Sequence, residues 1–248
     1  MKIKEIENDT NIVISKFQFS CDDEDDTIPD PLPKRLNFCF GINGRAGSGK
    51  STILLNMLCK RNKCYNQKFD KVIVFSPSLN TMDDNPFSEL PEEQMFDDLD
   101  EESLQGVIEE ITDCGEKVLL VIDDCVNQIK NDMGLQNLLA KVIMNRRHIC
   151  GHGGGISLFL TSQIYNRMPL PIRKSYTHLI LMNCKQKKEL DSLYDEHILI
   201  EKPDFYKILN YVYKKKHDYL YLDTTKPSEN KFHHNFNKLQ LTFPSIED

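Results

Sequence analysis

Short apolar runs alternate with amphipathic stretches along this chain, which predicts an α/β domain with a mainly parallel central sheet flanked by helices. Two further observations support it. A glycine-rich turn joins the first buried run to a helix, and a later apolar run ends in paired acids. Both lie at strand ends, where open parallel sheets gather ligands. At 248 residues the chain can bury a full core, so one α/β domain with tails is the simplest account.

Residues 1–34 read as an N-terminal arm. Ile12 to Phe19 alternates weakly and suits an edge strand, Asp22 to Asp26 is an acidic run, and Pro29, Pro31 and Pro33 favour extended backbone. The core domain covers 35–225. Leu36 to Ile42 reads as the first strand, Ser51 to Leu58 as the first helix, and Lys71 to Phe75 as the second strand. An acidic connector from Thr81 to Glu116 carries Leu104, Val107, Ile108 and Ile111 at helical spacing. Val118 to Ile122 is the third strand. Leu135, Leu138, Leu139, Val142 and Ile143 then mark an amphipathic helix ending near Arg147. A glycine-rich turn, Gly151 to Gly155, precedes the fourth strand, Ile156 to Leu160, and His178 to Met182 is the fifth. Helices cover 185–195 and 203–213, the second opened by Pro203, and Tyr219 to Leu222 makes a last strand. Residues 226–248 are polar with few apolar anchors and read as a C-terminal tail.

A net charge of −7 argues against a protein that coats nucleic acid with its whole surface, though not against a local basic face. Eight scattered cysteines without a secretory leader suggest reduced thiols in a cytosol-like compartment. Cys59 and Cys64 are too widely spaced for a metal knuckle, and His148 and His152 read as loop histidines. No apolar run is long enough to span a membrane as a helix, so the chain is expected to be soluble.

The chemistry begins at Gly44-Arg45-Ala46-Gly47-Ser48-Gly49-Lys50-Ser51, a complete phosphate-binding loop between a strand and a helix. Glycines let backbone N–H groups curl around a phosphate, and the helix N-terminus, continuing through Thr52, adds its positive dipole. Lys50 would reach the β and γ phosphates, and the Ser51 hydroxyl would ligate Mg²⁺. The third strand delivers Asp123 and Asp124 to the same edge. Asp123 would hold Mg²⁺, and Asp124 is placed to orient or deprotonate an attacking water. A second acid beside the metal ligand favours hydrolysis over a nucleotide switch. The fourth strand ends in Thr161-Ser162-Gln163, where Gln163 could bond the γ-phosphate or the lytic water.

Basic charge is concentrated in one section. Met133 through Lys188 contains nine basic residues (Lys141, Arg146, Arg147, Arg167, Arg173, Lys174, Lys185, Lys187 and Lys188) and no acid, which suits a polyanion-facing surface. Arg146 and Arg147 end a return helix and Arg173 precedes a strand, so all three should lie toward the edge opposite their own phosphate loop. They are poorly placed to act there, and a neighbouring subunit's nucleotide, or DNA, is the better target. The alternative is local pairing with carboxylates or carbonyls.

Gly44 to Ser51, the Ile122-Asp123-Asp124 strand end, Arg146 through Gln163, and Leu170 through His178 follow a recognisable order. Together they resemble the FtsK–HerA superfamily of DNA-pumping ATPases, specifically the genome-packaging ATPases of nucleocytoplasmic large DNA viruses and virophages. The resemblance covers roughly 36–225 and implies an α/β P-loop NTPase fold of the RecA/FtsK–HerA kind. It also implies ATP and Mg²⁺ as cofactors, and a hexameric or pentameric homo-oligomeric ring around double-stranded DNA. Translocation into a preformed viral capsid, in host cytoplasm at the viral factory and in the virion, completes the implication. By position, Gln163 is similar to the family's sensor, and Arg173 or the Arg146–Arg147 pair to its trans-acting arginine. Many relatives carry Glu where Asp124 stands. Two other readings stay open: a small-molecule or nucleotide kinase whose lid supplies the arginines, and an ATP-gated assembly scaffold that hardly turns over.

Overall fold

The computed structural model describes residues 22–58, 64–78, 87 and 90–242. The predicted edge strand at 12–19, Cys59 and the first part of the acidic connector lie outside them. Among the described residues nine strands form one sheet in the order β3-β2-β4-β5-β1-β6-β7-β8-β9. The strands are β1 Cys39–Asn43, β2 Lys71–Phe75, β3 Met95–Phe96, β4 Lys117–Ile122, β5 Gly155–Ser162, β6 His178–Met182, β7 Tyr219–Asp223, β8 Phe232–His234 and β9 Asn237–Lys238. From β3 to β6 every neighbouring pair is parallel, and β7, β8 and β9 extend the sheet antiparallel. Among the described residues seven α-helices accompany them: α1 Lys50–Leu58, α2 Glu101–Ile111, α3 Val126–Asn131, α4 Met133–Asn145, α5 Leu170–Arg173, α6 Lys187–His197 and α7 Lys202–Val212.

Strand alternation fills two cores. Val118, Leu120 and Ile122 face one side, packing with Leu104, Val107, Leu135, Leu139, Val142, Leu193 and Phe205 from the helices. Leu119 and Val121 face the other side, with Leu54 and Met57 of α1 and the aromatic group Phe38, Phe40, Tyr65 and Phe159. Both faces are covered, as a parallel sheet requires.

Three boundaries differ from the sequence reading. Residues 22–34 are not a detached arm: Ile28 and Leu32 are buried in the second core, and the Tyr65 and Tyr221 hydroxyls donate to the Pro33 and Pro31 carbonyls at 3.1 and 2.6 Å. Beyond 225 the sheet continues, because Phe232 is fully buried and β8 pairs with β7. A separate helix, α3, precedes α4. Asp132 divides them, its carboxylate accepting the Leu135 N–H at 3.0 Å as an N-cap.

Candidate active site

The strand order decides what meets at the C-terminal edge of the sheet. β5 lies between β1, which leads into the phosphate loop, and β4, which ends at Asp123. Thr161, Ser162 and Gln163 therefore stand between the loop and the acids. The junction is closed by backbone: the Gly44 N–H donates to the Ser162 carbonyl at 3.0 Å. Gly44 packs so closely on Met182 that a Cβ there would overlap it, and Gly49 sits at φ 104°, which disfavours other residues.

Lys50 begins α1 and is 8% exposed, its ammonium 3.4 Å from the Arg45 carbonyl within the loop. Burial pulls its pKa down, and the Asp124 and Asp123 carboxylates push it back up. Ser51 and the loop residues Gly44, Ser48 and Gly49 are half-buried; Arg45, Ala46, Gly47 and Thr52 are exposed.

Asp123 is buried and held by two hydroxyls. Thr161 Oγ1 donates to its Oδ1 at 2.6 Å, and Ser76 Oγ to its Oδ2 at 3.3 Å. Thr161 Oγ1 also accepts the Asp124 N–H at 3.0 Å. Asp124 takes a left-handed backbone, φ 56°, which turns its side chain away from the β4 direction. There the Gln163 amide donates to Asp124 Oδ2 at 2.6 Å. One strand end thus positions both carboxylates. Asp123 and the Ser51 hydroxyl are hard oxygen donors of the kind Mg²⁺ selects.

The three arginines are engaged within the chain. Arg146 Nε and Nη1 donate to the Asn37 and Ile143 carbonyls at 2.5 and 2.8 Å, and Arg147 pairs with Asp22 at 2.5 Å. Both lie at the edge opposite the phosphate loop, where the Arg146 carbonyl accepts the Ile156 N–H at the start of β5. Arg173 is 8% exposed, 3.0 Å from Glu196, with its guanidinium 5.0 Å from the Tyr165 ring centroid. The local pairing left open by the sequence is what each of them shows. Asp22 and Glu196 come from distant segments to meet Arg147 and Arg173.

Contacts that sequence reasoning missed also border the site. His217 Nδ1 lies 3.0 Å from the Ser48 carbonyl, reaching the phosphate loop from the turn before β7. Asn43 Oδ1 accepts the Ser162 hydroxyl at 2.5 Å. A polar residue ending the otherwise apolar first strand was the available signal for Asn43; none marked His217. Among the described residues no group of three or more His, Cys, Asp or Glu could hold a metal, and no helix is long and apolar enough to cross a membrane.

A NACHT domain model, a P-loop NTPase domain, matches residues 40–150. No curated protein sequence matches the chain. Solved structures similar in fold include the genome packaging NTPase B204 of Sulfolobus turreted icosahedral virus 2 in complex with sulfate. It is 15% identical at a TM-score of 0.55, covering 83% of this chain and 98% of that one. The DNA-packaging ATPase B204 of Sulfolobus turreted icosahedral virus is 17% identical at 0.54, covering 76% and 93%. The pCW3 conjugation coupling protein TcpA, with ATPγS, is 12% identical at 0.52, covering 84% of this chain and 61% of that one. This chain has the α/β fold of the P-loop NTPases, its phosphate loop set at the C-terminal edge of a mainly parallel sheet.

Proposed function

We propose that the chain hydrolyses ATP and uses the energy to translocate double-stranded DNA. The observation that carries the hydrolytic half is the pair of contacts from β5: Thr161 fixes Asp123 and Gln163 fixes Asp124, beside Lys50. A passive scaffold gains nothing from holding this carboxylate in place.

In this reading the loop N–H groups and Lys50 bind the triphosphate, whose negative charge keeps the buried ammonium protonated. Ser51 and Asp123 would hold Mg²⁺, which when bound neutralises phosphate charge. Asp124, oriented by Gln163, accepts a proton from the attacking water in line with the γ-phosphate. Gln163, hydrogen-bonded to Asp124, would carry a change at that carboxylate on phosphate loss into the segment that follows it.

DNA as the cargo is supported by the fold shared with two packaging ATPases and a coupling protein. A hexameric or pentameric ring, filling of a preformed capsid, and work at a viral factory belong to the same proposal. So does an arginine supplied across the ring. Arg147, with 37% of its side chain exposed, is best able to exchange its carboxylate for a neighbour's phosphate. The test is ATP-driven displacement of a third strand from duplex DNA. Displacement with ATP and none with a non-hydrolysable analogue is expected; ATP turnover without displacement would refute the motor.

A further inference from the structure

Two lysine runs far apart in sequence meet at the nucleotide edge. Lys185, Lys187 and Lys188 follow β6 and open α6, while Lys214, Lys215 and Lys216 precede β7. β6 and β7 are antiparallel, with Met182 opposite Tyr219, so the end of one strand and the start of the other lie side by side. All six lysines are exposed.

The acids of the same segments are directed elsewhere. Glu189 is buried and accepts the Tyr165 N–H at 2.9 Å, and Asp191 pairs with Lys202 at 2.5 Å. Asp218 accepts the Lys215 backbone N–H at 2.7 Å and faces His234 at 3.4 Å. Lys214 lies 4.2 Å from the Tyr211 ring centroid, which fixes its stem without neutralising its charge.

Each run is also tied to the nucleotide site by one contact. Behind Lys188, Glu189 holds the backbone of Tyr165, two residues beyond the Gln163 that grips Asp124. Behind Lys216, His217 reaches the Ser48 carbonyl of the phosphate loop.

We propose that these six lysines form one docking surface for the phosphate backbone of duplex DNA, coupled to the nucleotide through Glu189–Tyr165 and His217–Ser48. The inference rests on the motor reading and adds the surface on which DNA sits. Lysine ammonium groups are point charges without a fixed fork, so they suit phosphates of any base sequence. A surface touching the phosphate loop and the segment beyond Gln163 would feel both nucleotide binding and γ-phosphate loss.

The experiment measures random-sequence duplex binding against salt, and ATP turnover with and without duplex. It compares the wild type with K185Q/K187Q/K188Q, K214Q/K215Q/K216Q and H217F. Each triple variant should bind duplex roughly tenfold or more weakly, with the slope of log affinity against log salt reduced by about 2–3. Turnover without DNA should stay within about twofold of wild type. H217F should bind duplex normally while losing most of the stimulation by DNA. If wild type binds duplex and is stimulated by it but both triple variants keep its salt slope, this inference fails and the motor reading survives. If the variants instead lose ATP affinity, the lysines serve the nucleotide and the inference is overturned. A wild type that neither binds duplex nor responds to it sinks both.

Discussion

The Gln163 amide donates to an Asp124 carboxylate oxygen at 2.6 Å, joining the ends of two neighbouring strands at the nucleotide edge. Because the Asp124 backbone is left-handed and its N–H is bound by Thr161, β5 sets where this carboxylate points. Gln163→Ala should therefore lower kcat for ATP roughly 10–100-fold, and Asp124→Asn by about 10²–10⁴, with KM for ATP little changed. Steady-state phosphate release gives both constants. An unaltered kcat in Gln163→Ala would show that the contact has no part in hydrolysis.

Thr161 serves two partners with one hydroxyl, donating to buried Asp123 and accepting from half-buried Asp124. Thr161→Val keeps the shape and strands both partners, so the loss should be about 1–3 kcal/mol, with Thr161→Ser much milder. Urea unfolding reads the difference, and equal midpoints for Val and wild type would reject the bridging role.

Arg173 and Glu196 form an interior pair, each with about nine-tenths of its side chain covered, and Tyr165 donates to the other Glu196 oxygen at 2.5 Å. Removing either partner alone should cost roughly 3–5 kcal/mol, and the double alanine variant should lose less than the sum. Should Arg173→Ala keep wild-type stability yet lose hydrolysis only in the assembled state, its guanidinium serves a neighbour's nucleotide instead.

Acid should destabilise the fold through two histidines. Burial pushes His178, which stacks beside Phe40 and Tyr221, and His197 down to about 4 each, against 6.5 for an ordinary imidazole. The unfolded chain therefore binds more protons between those values. The stability these neutral rings carry is complete above pH 6.5 and drains away as pH falls toward 4, by about 3 kcal/mol per group at most. His178→Phe should flatten Tm against pH over that window. A Tm profile parallel to wild type would contradict the assignment.

Legibility followed burial. Strands enclosed on both faces read as unbroken apolar runs, so Lys71–Phe75 and His178–Met182 appear in the structure as expected from sequence. The phosphate loop and Asp123-Asp124 were visible because their chemistry is local. β8 was not, since Phe232 is a lone apolar residue among histidines and is buried only by pairing with β7. Arginine partners were invisible for a related reason: Asp22 and Glu196 reach Arg147 and Arg173 through the fold, not through neighbouring sequence. The lysine surface likewise needs the β6–β7 pairing to bring residues 185–188 beside 214–216.

The most direct measurement is phosphate release from ATP with and without duplex DNA of arbitrary sequence, for wild type and Asp124→Asn. The account predicts slow turnover that DNA accelerates severalfold in the wild type, and near-absence of turnover with or without DNA in the variant. Turnover indifferent to DNA, or equal in the two proteins, would contradict it.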